Sequence, residues 1–311
     1  MPELPEVEYT ARQLRAAVVG STIDRVHVFW ERTISHPTLP DFLAQVAGQR
    51  IEGIRRRGKF LLLDLSCSLF LSIHRRMTGN LLILPPGWLI DTSLQEQDPS
   101  AWNTKGPTFH QATVHTTPEI SYSRESGYCR VCFDLDDGRR LLYTDPRKFG
   151  HIELWPRECE KTVFEGLGPE PLSEEFTAAR LAEGLARHRT GIKQALLNQS
   201  VVAGVGNIYA DEALFYARLH PSRRTDSLTP DEILSLREGM VAVLTLGIEH
   251  GGTSFNDYRD LWGEVGDNYN HVNVYQQDGQ PCRRCGTIIE RMVVAQRSTH
   301  FCPQCQQLTE E

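Results

Sequence analysis

Two groups of residues in this chain are typed and spaced for chemistry: an acid-flanked proline at the start and four cysteines near the end. Cys282-x2-Cys285-x16-Cys302-x2-Cys305 has the spacing of a four-thiolate zinc site, each Cys-x2-Cys on a tight turn at one end of a hairpin. The protein would supply all four ligands and leave no position for water, so one zinc ion here would be structural. At the other end the chain reads Met1-Pro2-Glu3-Leu4-Pro5-Glu6-Val7-Glu8. Removal of Met1, usual before a small residue, would leave Pro2 with a free secondary amine. An α-amino group titrates at about 7.7–8.0 against about 10.4 for Lys, so far more of it is neutral near neutrality. Such an amine attacks a carbonyl-like carbon and forms an iminium. Glu3 beside it can donate or shuttle a proton. The competing reading is an N-terminal proline with no role.

A third motif is Gly204-Val205-Gly206-Asn207-Ile208-Tyr209-Ala210. Gly-x-Gly before a helix lets backbone N–H groups approach an anion. A dinucleotide fold would need a strand before the glycines. The helix-like Lys193 to Asn198 precedes them instead, so a helix–turn–helix holding a phosphate fits better. Arg297, at a hairpin tip between the cysteine pairs, is shaped for a phosphate, although an exposed Arg is commonly just solvated. Cys129-x2-Cys132 has no second pair and is read as structural or incidental.

These groups need elements to hold them. Apolar spacing from Val7 to Val18 predicts a helix from about Pro5 to Val19, with a first-turn proline and acids at its positive end. Residues 21–84 read as strands broken at Gly58, 66–68 and Gly79, and a hairpin pairs Val131–Leu135 with Leu141–Tyr143 through Asp136-Asp137-Gly138. Between them, about 85–127 lacks periodicity and reads as a long excursion or partly disordered insert, with Trp88, Trp102 and Phe109 in it. Leu167-Gly168-Pro169-Glu170-Pro171-Leu172 marks a linker. Helices are predicted at about 173–187, 191–198, 207–217 and 229–250; the last has a capping Thr229, Pro230 and acids in its first turn.

The 311 residues allow two domains. No apolar run approaches the roughly 18 residues a membrane helix needs. No signal peptide is evident, and the cysteine usage fits a reducing compartment. A net charge of −7 and pI near 5.9 argue against nucleic acid as a sum. However, Arg55-Arg56-Arg57-Gly58-Lys59, Arg75-Arg76 and Arg147-Lys148 are basic clusters, so the expectation is a basic channel on an acidic surface.

Taken together the motifs resemble one family. MPELPEVE resembles the N-terminus of formamidopyrimidine-DNA glycosylases, bifunctional base-excision enzymes. GVGNIYADEALF resembles their helix–two-turn–helix, IRRRGKFLLLDL a strand carrying a lysine, and LGPEPL their interdomain linker. HRRMTG and DPRKFG resemble two loops that enter the duplex, and QRSTHFCPQC the zinc finger. The match spans nearly all segments except about 85–127.

The resemblance implies an α+β protein. An N-terminal β-sandwich with an N-terminal helix would occupy 1–165, a helical domain with the helix–two-turn–helix 166–275, and a four-Cys zinc-finger hairpin 276–311. It implies Pro2 as the amine that attacks C1′ of the damaged nucleotide and Glu3 as the proton donor. Lys59 would help β-elimination, and Arg297 would hold phosphates at the lesion. Met77, Arg147 and Phe149 would fill the space left by the flipped base, the alternative being that Met77 and Phe149 are core residues. Asn207 would contact phosphate. Tyr128, His188 and Lys193 stand at or beside further DNA contacts, although Tyr128 and His188 differ from the family residues. Two more departures are Arg75-Arg76 in the first loop and Leu261-Trp262-Gly263-Glu264-Val265-Gly266 within the base-capping segment, about 254–274. Leu4 favours the oxidised-purine branch (8-oxoguanine, formamidopyrimidines) over the oxidised-pyrimidine branch. A non-catalytic damaged-DNA-binding protein of the same fold, or a zinc-ribbon protein binding RNA or protein, are rivals. The expected partner is damaged double-stranded DNA. The expected form is a monomer without a membrane, in a bacterial cytosol or nucleoid.

Overall fold

The structure is a computed structural model that describes residues 1–91, 108–111, 128–255 and 257–308. It divides into two units. The first comprises Met1–Pro2, Glu6–Val163 and Thr253–Gly266, and the second Glu3–Pro5, Phe164–Gly252 and Asp267–Glu311.

The first unit is a β-sandwich. Helix α1 (Leu4–Val18) is followed by β1 (Ile23–Val28), β2 (Ile34–His36), α2 (Leu39–Val46), β3 (Ile51–Arg57), β4 (Phe60–Leu65), β5 (Leu69–His74) and β6 (Asn80–Leu84). Next come β7 (Trp88–Asp91), β8 (Thr108–Gln111), β9 (Cys129–Leu135), β10 (Arg140–Thr144), β11 (His151–Pro156) and α3 (Glu160–Val163). One sheet has the order β1-β9-β10-β6, the other β2-β11-β5-β4-β3. Val7 and Leu14 of α1 join Ile23, Leu61, Ile73, Leu81, Val131, Phe133 and Leu154 in one buried cluster. Burial of that apolar surface is the main force holding the sheets together. The predicted turn at Asp136–Gly138 forms, with Gly138 at φ +84. Part of the expected 85–127 excursion is ordered as the antiparallel pair β7·β8; Trp102 lies outside the described residues.

The stretch Thr253–Gly266 is fastened to this unit although it follows the helical region in sequence. Glu6 accepts the Thr253 N–H at 2.8 Å. Gln13 donates to Asp260 at 2.7 Å and accepts from the Leu261 N–H at 2.9 Å. Ile83 N–H donates to the Leu261 carbonyl at 3.0 Å, and the Leu261 side chain enters the core.

The second unit holds α4 (Ala178–Ala186), α5 (Ile192–Leu197), α6 (Asn207–Tyr216), α7 (Pro230–Glu249) and the hairpin of β12 (Glu290–Val294) and β13 (Arg297–Phe301). The predicted start of α7 is a full capping box: Thr229 accepts from Glu232 N–H, and the Glu232 carboxylate accepts from Thr229 N–H. No helix among the described residues is long and apolar enough to cross a membrane.

Candidate active site and DNA-binding residues

In the first unit Pro2 is buried while Met1 is half exposed. Lys59 stands in the turn between β3 and β4, where Gly58 adopts φ +55. It is buried, and its charge is among those that depress the neighbouring His74. Burial is the first cause there, and together they push His74 down to about 3, so its imidazole is neutral. Its Nδ1 accepts the Arg76 N–H at 3.1 Å and so shapes the loop that leads to Met77.

That loop and the one after β10 display an exposed group. Met77 is 38 % and Phe149 54 % exposed, so neither is a core residue. The Arg147 guanidinium lies 4.8 Å from the Phe149 ring centroid, and its Nη1 is 3.4 Å from Met77 Sδ. Two large apolar side chains held in water around one cation have the make-up of a wedge for a base stack. Tyr128, half-buried, accepts the Asp145 N–H through its carbonyl at 3.0 Å.

The basic clusters are partly spent inside the protein, which corrects the expected channel. Arg55 pairs with Asp64 at 2.7 Å and Glu160 at 2.6 Å, which raises its pKa further. Arg56 pairs with Glu8 at 3.1 Å. Arg75 is only 1 % exposed; it donates to Thr10 at 3.1 Å and lies 5.5 Å from the Tyr258 ring centroid.

In the second unit the N-terminus of α6 does seat an anion, but the anion is the chain's own Glu3. Gly206 N–H donates to Oε2 at 2.8 Å, Ile208 N–H to Oε1 at 3.0 Å and Tyr209 N–H to Oε2 at 3.4 Å. The positive end of a helix and the N–H groups of its first turn complement a carboxylate. Glycine is required at 206 because a Cβ there would lie 2.4 Å from the Glu3 carboxyl carbon. This corrects the reading of Gly204-x-Gly206 as a phosphate cradle. The glycines and the acid belong to one constellation, which the sequence separation hid.

Lys193 needs a second correction. It is fully buried, paired with Asp211 at 2.6 Å, and donates to the Ser298 carbonyl at 2.9 Å and Thr299 Oγ1 at 2.8 Å. A cation so enclosed holds protein groups rather than phosphate. Asn207 Nδ2 donates to the same Ser298 carbonyl at 2.9 Å. Both therefore brace the hairpin next to Arg297, which is exposed beyond the left-handed turn of Ala295 and Gln296. His188 is half-buried; its Nε2 is 3.4 Å from Asn198 Nδ2.

The four cysteines fit zinc. Their sulfurs lie within 4.8 Å of one another, with Cys285–Cys302 at 3.5 Å and Cys282–Cys305 at 4.0 Å. Tetrahedral zinc with Zn–S near 2.3 Å asks for sulfurs about 3.8 Å apart. Arg284 N–H and Cys305 N–H each point at a sulfur at 3.4 Å. Thr287, through its hydroxyl and N–H, pulls the Cys285 thiol down to about 6, towards the thiolate a metal needs.

Comparison with known proteins decides the family. The formamidopyrimidine-DNA glycosylase N-terminal domain matches residues 1–152, the H2TH domain of the same enzymes 167–259, and the zinc finger found in FPG and IleRS 279–308. The chain belongs to the formamidopyrimidine-DNA glycosylase family. It is 42 % identical to the formamidopyrimidine-DNA glycosylase of Enterococcus faecalis over 99 % of this chain and 98 % of that one. It is 43 % identical to that of Symbiobacterium thermophilum over 100 % and 90 %. A Lactococcus lactis Fpg variant solved with Fapy-dG-containing DNA superposes at TM-score 0.81, with 32 % identity and coverage of 99 % and 100 %. MutM (Fpg) of Thermus thermophilus gives 0.78 and 36 %, with the same coverage. As an Fpg-type DNA glycosylase the protein binds DNA, and its finger is built for one structural zinc.

Sequence reasoning missed Asp145. A buried carboxylate before Pro146 with N–H donors two and four residues on is an Asx-type turn, and Asp-Pro was its signal.

Proposed function

We propose that the protein removes oxidised purines from duplex DNA and cuts the strand at the resulting site by β,δ-elimination, with the Pro2 amine as nucleophile. The carrying observation is that the acid next to this amine is held rigidly by three N–H groups at the start of α6. Fixed orientation of a proton-handling group is worth orders of magnitude in rate.

After loss of Met1, the Pro2 nitrogen bonds to C1′ and the N-glycosidic bond breaks, its electron pair leaving with the base, which takes a proton. Glu3 receives the proton shed by the amine and delivers one to the ring oxygen as the sugar opens to the iminium. Loss of a C2′ proton then expels the 3′ phosphate, and a second elimination expels the 5′ phosphate. Lys59 moves protons in these steps. Arg297 and Asn207 hold phosphate, with Tyr128 and His188 at the edges of the contact, while Met77, Arg147 and Phe149 occupy the space the lesion vacates. The enzyme works as a monomer in the cytoplasm, with domains at 1–165, 166–275 and 276–311.

A second reading, excision of oxidised pyrimidines, has one observation behind it: Lactococcus lactis Fpg has been solved with oxidised-pyrimidine-containing DNA, at TM-score 0.80 and 32 % identity to this chain. Borohydride trapping on duplexes with 8-oxoguanine, an oxidised pyrimidine or an abasic site tests both. A covalent adduct that disappears when Met1 is retained supports the amine, and the duplex trapped best names the lesion. No adduct from protein lacking Met1 would leave a non-catalytic DNA-binding protein.

A further inference from the structure

Met77, Arg147 and Phe149 sit on two loops far apart in sequence, 75–79 and 145–150, yet one buried side chain serves both. Asp145 is 1 % exposed. Its Oδ1 accepts the Thr78 hydroxyl at 2.5 Å and the Arg147 N–H at 3.2 Å. Its Oδ2 accepts the Phe149 and Gly150 N–H groups, each at 2.8 Å. Four donors thus converge on one carboxylate, which gives each oxygen two partners. Buried Arg130 donates through Nε to the Asp145 carbonyl at 2.9 Å and adds a positive charge close by.

The loops are also closely fitted from below. Tyr143 hydroxyl lies 2.5 Å from where a Cβ on Gly79 would stand, and 1.7 Å from one on Gly150. Each loop carries a non-glycine residue in the left-handed region, Arg76 at φ +52 and Lys148 at φ +58. Such conformations persist only where the surroundings hold them.

The geometry points to Asp145 as the positioning residue that locks the two loops into one wedge, so that Met77, Arg147 and Phe149 enter the base stack together. It acts through the Arg147 and Phe149 N–H groups and through the Thr78 hydroxyl next to Met77, and touches neither base nor sugar. This rests on the proposed role of those three residues.

Asp145→Asn removes acceptor capacity from one oxygen and leaves donors facing an amide. Thr78→Val removes one bond only and spares the fold. The readouts are excision from an 8-oxoguanine duplex, lyase activity on a single-stranded abasic oligonucleotide that needs no wedge, and fluorescence of 2-aminopurine placed opposite the lesion. Asp145→Asn should lower the ratio of duplex excision to single-strand lyase by about ten- to a hundredfold, and Thr78→Val by less, in line with lost charge-assisted hydrogen bonds. The 2-aminopurine rise should slow in parallel. A fall by the same factor on both substrates would make Asp145 merely structural, and an unchanged ratio would also overturn the inference. Met77→Ala and Phe149→Ala separate the two levels. If they leave the ratio at wild type, the wedge reading itself fails. If they lower it and Asp145→Asn does not, the positioning role alone fails.

Discussion

Lys193 and Asp211 form an ion pair at 2.6 Å with neither side chain exposed. Burial is the main cause lowering the Lys193 pKa, and Asp211 opposes it. Removing one member leaves the other as an uncompensated charge. Lys193→Met should therefore cost about 3–5 kcal/mol in urea unfolding, partly restored by adding Asp211→Asn. The salt dependence of DNA binding should stay as in wild type. A variant of normal stability with a shallower salt slope would return Lys193 to the phosphate contacts.

Arg297 should behave in the opposite way. It is exposed on the hairpin that Lys193 and Asn207 brace. Arg297→Ala should leave stability within about 0.5 kcal/mol. It should weaken binding to lesion and undamaged duplex alike and reduce the salt slope by about one. Titrations at several salt concentrations decide this, and an unchanged slope removes Arg297 from the contact.

Gly206 carries no side chain, yet its replacement should act at the Glu3 carboxyl. The added Cβ of Gly206→Ala would stand 2.5 Å from Glu3 Oε1, so the carboxylate must leave its three N–H donors. A displacement of about 1 Å in a catalytic group costs on the order of a hundredfold in rate. Single-turnover excision should fall by about that factor while the Kd for an abasic duplex changes little. Equal losses in rate and affinity would indicate local unfolding instead.

The parts legible in the sequence are those written locally. Thr229-Pro230-Asp231-Glu232 announced α7 because its cap closes within four residues. Asp136-Asp137-Gly138 announced its hairpin for the same reason, and the cysteine quartet carries its own spacing. What was hidden depends on distant partners. Glu3 meets Gly206 across 203 positions, and Lys193 meets Thr299 across 106. A buried lysine and a phosphate-binding lysine look alike until the acceptor is known. Strand β2, of three residues, gained its identity from parallel pairing with β11, which no local pattern encodes.

Zinc removal should separate the two units by stability. Among the described residues, the apolar cluster under the finger consists of Phe215, Val274, Ile289 and the buried cysteines, too little to order the hairpin unaided. Chelation should abolish binding to abasic duplex while the β-sandwich stays folded and protease-resistant. A chelated protein that still binds tightly would show that the finger is dispensable.

Acid should destabilise the β-sandwich through His74. The folded imidazole stays neutral down to about 3, burial being the largest cause and Arg76 the next. An unfolded imidazole takes its proton at about 6.5. Below that value the unfolded state binds more protons, so stability is complete above about 6.5 and falls as pH drops towards 3. The slope is about 1.4 kcal/mol per pH unit, or about 2 kcal/mol between pH 6.5 and 5. His74→Asn keeps an acceptor for the Arg76 N–H but cannot titrate. Urea midpoints at pH 5 and 7 should therefore differ less in the variant than in wild type. Identical differences would assign the acid sensitivity to other groups, His151 first among them, since burial lowers its pKa as well.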